Sequence, residues 1–154
     1  MKLTYRHATE SDLVEIVQLL ADDKLGAARE DFKLPLPEVY TRAFQAIVED
    51  NQQELTVVEA RGELIATFQL SFIQYLTYQG GVRAQIEAVR VKDTYRGQGI
   101  GTEIFQYAIQ RAITRGAHVL QLTTDKQRPE AKQFYELLGF VNSHEGMKLH
   151  LNRG

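Results

Sequence analysis

The chain has 154 residues, 44% hydrophobic and 25% charged, with a formal net charge of -2. One domain spanning 1–154 with its own core is expected at this length, and the scattered lysines and arginines form neither a basic stripe for nucleic acid nor a polybasic segment for a membrane surface. The absence of cysteine excludes disulfides, thiolate chemistry and cysteine-based zinc sites. The opening "MKLTYRHATE" lacks the apolar core of a signal peptide and no apolar run approaches a membrane span, so a cytoplasmic location is expected.

A short strand near Lys2 to His7 is followed by Thr9, a helix cap, with Asp12 in the first turn and Leu13, Ile16, Val17 and Leu20 at helical spacing. A second helix follows Pro37, with Tyr40, Ala43, Phe44, Ile47 and Val48 on one face. Between them, "DDKLGAAREDFKLPLP" is charged and carries prolines, which predicts a surface loop. From Glu54 the period becomes alternating: "ELTVVEA", a turn at Arg61-Gly62, then "ELIATFQLSF" predict two antiparallel strands. Gly80-Gly81 makes the next turn. In the strand from Val82 to Val91, apolar residues fall on even positions through Ala88 and then on odd positions at Val89 and Val91. A one-residue change of parity is what a β-bulge produces, and a strand buried on both faces gives the same pattern.

"VRVKDTYRGQGIGTEIF" then places Gly97, Gly99 and Gly101 between that strand and a helix carrying Ile100, Ile104, Ala108 and Ala112. Arg111 and Arg115 suit the negative end of this helix, and Gly116 terminates it. "HVLQLTT" is a strand parallel to the one before the helix, forming a βαβ unit. A last helix after Pro129 carries Ala131, Phe134, Tyr135 and Leu138 and ends at Gly139, and "MKLHL" closes the chain as a strand.

A glycine loop feeding a helix start presents several free backbone N–H groups, an anion site suited to phosphate. The loop is no P-loop, because no lysine follows Gly101, and it fits a dinucleotide fingerprint poorly: Thr102 stands where the third glycine belongs and no acid ends the next strand. "RGQGIG" resembles the R/Q-x-x-G-x-G/A signature of the GNAT-type N-acetyltransferase superfamily. "IEAVRV", "AKQFYELLGF" and the strand order extend the resemblance over nearly the whole chain, most specifically residues 86–140. The resemblance implies a mixed α/β fold, a mostly antiparallel sheet flanked by helices, and a function as an N-acetyltransferase carrying the acetyl group of acetyl-CoA directly to a primary amine. The N–H groups of Arg96, Gly97, Gln98, Gly99, Ile100, Gly101 and Thr102 would then cradle the pyrophosphate, with charge added by the Arg96 guanidinium. Val89 and Val91 would pair with the pantetheine arm, and an unpaired N–H at Val89 would face the thioester carbonyl and stabilise its oxyanion.

An alkylamine with a pKa of about 10 must lose a proton before it attacks. Glu87, beside the presumed bulge, is the candidate base, directly or through a water; otherwise it is a sheet-surface charge paired with Arg83 or Arg90. Tyr135 occupies the family's general-acid position, or else it is a core tyrosine on the apolar stripe. Arg128 stands where many relatives carry asparagine, so it either reaches a phosphate of the cosubstrate, or an acidic group on the acceptor, or is solvated. The four histidines lack metal-ligand spacing, and no metal is expected. By family analogy the acceptor enters between the loop joining the first two helices and "VNSHEGMK", where Glu30, Asp31 and Glu145 lie. A small-molecule amine is expected in preference to a protein, a non-catalytic acyl-CoA-binding regulatory module is the alternative, and Phe72 and Tyr75 would suit a homodimer contact.

Overall fold

The computed structural model describes residues 1–152. Strands β1 (Thr4–His7), β2 (Gln53–Ala60), β3 (Glu63–Gln74), β4 (Val82–Val91) and β5 (Val119–Gln121) form one sheet in the order β1-β2-β3-β4-β5. The first four are antiparallel neighbours and β5 runs parallel to β4, so the expected mixed, mostly antiparallel α/β sheet is present. Helices α1 (Leu13–Leu20), α2 (Lys24–Arg29) and α3 (Glu38–Glu49) come before β2. Helix α4 (Ile100–Thr114) connects β4 to β5, and α5 (Pro129–Leu137) follows.

Alternation along the strands decides which face each helix covers. Phe68, Leu70, Ala84 and Ile86 are buried with Ile104, Phe105 and Ala108 of α4. On the opposite face Ile16 and Leu19 pack on Val57 and Leu64, while Leu13 and Val17 meet Phe44. The turn at Arg61-Gly62 has positive φ at both residues (53° and 77°), the geometry that matches the twist of a two-residue hairpin.

Local chemistry sets the helix ends. The Thr9 N–H donates to the Asp12 carboxylate at 2.7 Å and its hydroxyl at 3.1 Å, so the predicted start is present, entered through a 3-10 turn at Glu10–Asp12. Arg6 forks onto the same carboxylate at 2.7 and 2.9 Å and holds its pKa down to about 2. Both α4 and α5 end in Schellman motifs: Ala117 N–H donates to Ala112 O at 2.9 Å past Gly116, and Phe140 N–H to Tyr135 O at 3.1 Å past Gly139.

Four expectations are corrected. Part of the segment read as a loop is helix α2, because Asp23 accepts from the Gly26 N–H at 2.6 Å and so caps a run containing two alanines. Arg111 and Arg115 do more than face a helix end: they reach β2 and clamp the buried Glu54 carboxylate at 3.0 and 2.8 Å. Phe72 is buried beneath the Arg115 guanidinium, 4.1 Å from its ring centre, and so is not a surface for a partner. The stretch "MKLHL" forms no strand pair among the described residues, and every residue from Val141 to Asn152 is exposed.

The Glu54 triad ties α4 to the sheet. Burial opposes ionisation of Glu54, but the two guanidiniums outweigh it and its pKa lies below the ordinary 4.5. A depressed carboxylate pKa contributes stability above the ordinary value and loses it as pH falls through the folded-state value. Glu54→Gln is therefore expected to lower the unfolding free energy at neutral pH by roughly 3 kcal/mol, read by urea denaturation, because it strands two partly buried guanidiniums. The wild type should also lose more stability than this variant as pH drops below 4.5.

Candidate active site

The site is built around an irregularity in β4. Thr67 pairs with Arg90 and Gln69 with Glu87, so the single residue Phe68 stands opposite both Ala88 and Val89. This is the bulge that the parity change predicted, and Ala88 takes a positive φ of 54° to make it. The extra residue keeps Val89 and Val91 packed against the same core as Ala84 and Ile86. On its other side β4 pairs with β5 only from Arg83 to Gln85. From Ile86 onward the strand edge facing β5 is open, a notch between two diverging strands.

Glu87 is exposed at the bulge and makes no ion pair with Arg83 or Arg90. Its carboxylate accepts instead from the Gln85 side chain, which in turn accepts from Gln121 Nε2 at 2.7 Å. An apolar pocket of about 140 Å³ opens on this face of the sheet, among Leu13, Val17, Tyr40, Phe44, Gln69 and the bulge residue Ala88. That is smaller than the about 300–1,000 Å³ of drug-sized sites, and it suits a short chain.

The loop after β4 turns through Gly97 and Gly99, both left-handed (φ 76° and 79°), and Gly99 caps α4. Glu103 N–H donates to Gly99 O at 3.2 Å. Among the described residues the six N–H groups from Gly97 to Thr102 have no acceptor in the chain, and a Cβ built on Gly97 or Gly99 would meet open space. Six free donors at and just before the positive end of a 15-residue helix suit an anion. Gly101 differs: its Cβ would lie 3.3 Å from the Phe134 ring, so this glycine serves the close approach of α5 to α4. Arg96 is tied to Asp93 at 2.6 Å and lies 3.9 Å from Asp22.

Tyr135 projects from α5, half-buried against Phe105, Phe134 and Phe140 with ring centres 5.5 to 6.1 Å away. Burial raises its phenol pKa, with Arg128 and Arg90 pulling the other way, so the group is protonated at neutral pH. Its hydroxyl has no hydrogen-bond partner among the described residues. Arg128, at the start of α5, is not solvated: it donates to Asp23 at 2.6 Å. Arg90, turned out by the bulge, comes within 4.0 Å of the same carboxylate, and its buried Nε has no partner. Burial works against ionisation of Asp23, but the Gly26 N–H and the guanidiniums of Arg90, Arg128 and Arg29 prevail and lower its pKa. Asp23 was missed because its partners lie up to 105 positions away. The sequence carried a signal only for Arg90, which the parity change puts on the Glu87 face.

Among the described residues no helix is long and apolar enough to cross a membrane. The chain is 30% identical to the thialysine N-epsilon-acetyltransferase of Bos taurus over 95 residues, 62% of this chain and 55% of that protein, so it matches little more than half of that relative's length. It is 25% identical to the aminoalkylphosphonate N-acetyltransferase of Salmonella typhimurium over 139 residues, covering 90% of this chain and 85% of that one. A solved structure described as a transcriptional regulator from Bacillus halodurans superposes with a TM-score of 0.94 at 52% identity, covering 97% of this chain and 100% of the other. The model of the acetyltransferase (GNAT) family matches residues 15–140, the stretch that holds the bulge, the glycine loop and Tyr135, and the chain belongs to that family.

Proposed function

We propose that the protein is an N-acetyltransferase that moves the acetyl group of acetyl-CoA directly onto the primary amine of a small molecule. The observation that carries this is the junction of two features: six free N–H groups at the start of α4 and, directly before them in the chain, a β4 edge without a partner from Ile86 to Val91. The first fits a pyrophosphate and the second fits an extended amide-bearing arm, which together describe the cosubstrate. Acetyl-CoA supplies an activated thioester carbonyl and a thiolate leaving group. The chain supplies position and proton handling. Val89 N–H, at the bulge, donates toward the carbonyl oxygen, where negative charge develops. Glu87, exposed and held by Gln85, accepts the proton that the ammonium must lose, through a water. Tyr135, protonated and half-buried, gives a proton to the departing sulfur.

The acceptor enters on the α1–α3 side of β4, where the small pocket receives its carbon chain. Arg90 and Arg128 reach Asp23 on this side, and their guanidiniums suit an amine that also carries an acidic group, such as an amino acid, while Glu30 and Glu87 face its ammonium end. A second reading, an acyl-CoA-responsive module without turnover, is favoured by the description of the Bacillus halodurans relative as a transcriptional regulator. Release of CoA thiol from acetyl-CoA over a panel of amines, amino acids, polyamines and short peptides separates the two. Turnover establishes the enzyme, and tight binding without turnover on the whole panel supports the module.

Four substitutions test this geometry. Gly99→Val forces a branched side chain into a left-handed turn and should weaken CoA binding by roughly ten- to hundredfold in calorimetry, with the fold retained. Gly101→Val should instead lower the melting temperature through Phe134. Tyr135→Phe should keep CoA affinity and lower kcat by roughly a hundredfold, the scale of one general acid, and the alkaline limb of the wild-type rate should lie above the ordinary phenol value of 10.0. Arg128→Gln should raise KM for amines with an acidic group by roughly tenfold while leaving KM for plain alkylamines unchanged.

A further inference from the structure

Two short runs of side-chain amides cross the face of the sheet that carries Glu87, and their hydrogen bonds have a fixed direction. On the β5 side Gln121 Nε2 donates to Gln85 Oε1 at 2.7 Å, and Gln85 Nε2 donates to the Glu87 carboxylate. An ionised carboxylate can only accept, so it sets the Gln85 amide with its N–H end toward Glu87 and its carbonyl toward Gln121. On the β2 side a single oxygen, Gln53 Oε1, accepts from Gln69 Nε2 at 2.9 Å and from the Ser71 hydroxyl at 2.7 Å. The N–H end of the Gln69 amide is thereby turned toward β2. Its carbonyl oxygen accepts no hydrogen bond among the described residues.

Gln69 and Glu87 stand directly opposite each other in the ladder of β3 and β4, as the pair next to the bulge. Residues so placed carry Cβ atoms about 4.5–5.5 Å apart on one face, so one nitrogen can meet both side chains. Gln69 and Ala88 also line the apolar pocket, Gln69 half-buried and Ala88 exposed. The side-chain groups left free at this wall of the pocket are therefore both acceptors, a carboxylate and an amide carbonyl. A primary ammonium brings three donors, a hydroxyl one and a quaternary ammonium none. Of these, the primary ammonium alone satisfies both acceptors, and a ligand that covers Gln69 without giving it a donor leaves a buried carbonyl unpaired.

We infer that Gln69 is a binding residue for the acceptor: its carbonyl oxygen takes one N–H of a primary ammonium whose other N–H groups face Glu87. Gln53 and Ser71 are positioning residues that keep this carbonyl turned to the ligand. The assignment deepens the acetyl-transfer reading and rests on it for the identity of the ligand. The amide takes up no proton; it holds the nitrogen in place while the proton leaves toward Glu87.

NMR titration of the isotope-labelled full chain, without acetyl-CoA, tests it with two probes: butylammonium, and butyltrimethylammonium, which has the same charge and no N–H. Butylammonium is expected to bind the wild type roughly tenfold more tightly, with shifts at the Ala88 backbone and the Gln69 side-chain amide. Gln69→Met keeps the length without the carbonyl and should remove most of that preference, and Gln69→Glu, which restores an acceptor, should recover it. Equal affinities in the wild type would overturn the assignment, as would a preference that survives in Gln69→Met. Shifts confined to residues outside the pocket, or no binding of butylammonium, would overturn it as well. Release of CoA thiol, followed in parallel, separates this inference from the reading beneath it. Turnover of butylamine with KM unchanged in Gln69→Met would remove the role of Gln69 and leave acetyl transfer standing. A donor-dependent site at Gln69 in a protein that turns over no amine would do the reverse.

Discussion

The structure turns on one residue out of register. At Ala88 the sheet gives β4 an extra residue against Phe68, and each neighbour takes its place from that step. Val89 and Val91 stay packed against the core, Arg90 turns to the α2 side, and Glu87 is left exposed at the point where the ladder breaks. A left-handed alanine costs about 1–3 kcal/mol, and it persists because the strands on either side are fixed by fully buried residues such as Phe68 and Leu70. Strain of this kind, held by a packed surround, is how a sheet frees backbone groups for use without losing its shape.

Helix α4 converts that irregularity into a site because its two ends are treated differently. Its C-terminal half is fastened by Arg111 and Arg115 to Glu54, a carboxylate brought from β2 and buried beneath them. Its N-terminal turn is left without side-chain caps, so the donors from Gly97 to Thr102 stay open. The three glycines that look equivalent in sequence divide the work. Two provide left-handed backbone and open space, and the third lets Phe134 approach the helix. That approach brings α5, and with it Tyr135, alongside the cradle.

On the other face, Asp23 is the meeting point of α2, β4 and α5. It caps α2, anchors Arg128 and lies near Arg90, so one carboxylate orders three segments far apart in the chain. Arg128 and Arg90 both reach this acid, and Glu30 accepts from the Tyr40 hydroxyl at the wall of the apolar pocket. The family's fold does not by itself choose an acceptor.

Much of this was written in local sequence. The strands, the hairpin at Arg61-Gly62, the helix start at Thr9 and Asp12, the helix ends at Gly116 and Gly139, and the bulge itself depend on period, capping and backbone preference, which act over a few residues. The glycine turns and the helix that carries Tyr135 were legible for the same reason, whereas their assignment to a site came from the family resemblance. What tertiary structure alone decided involves partners distant in sequence. Arg128 finds Asp23, Arg111 and Arg115 find Glu54, Phe72 disappears under Arg115, and Gly101 answers to Phe134. Helix α2 lay between these cases: its Asp23 cap is local, but charge and proline hid it. The pattern of "MKLHL" has the period of a strand, yet a strand is completed only by a neighbour, and among the described residues it has none. Periodicity fixes which side chains share a face; only the assembled fold decides what that face meets.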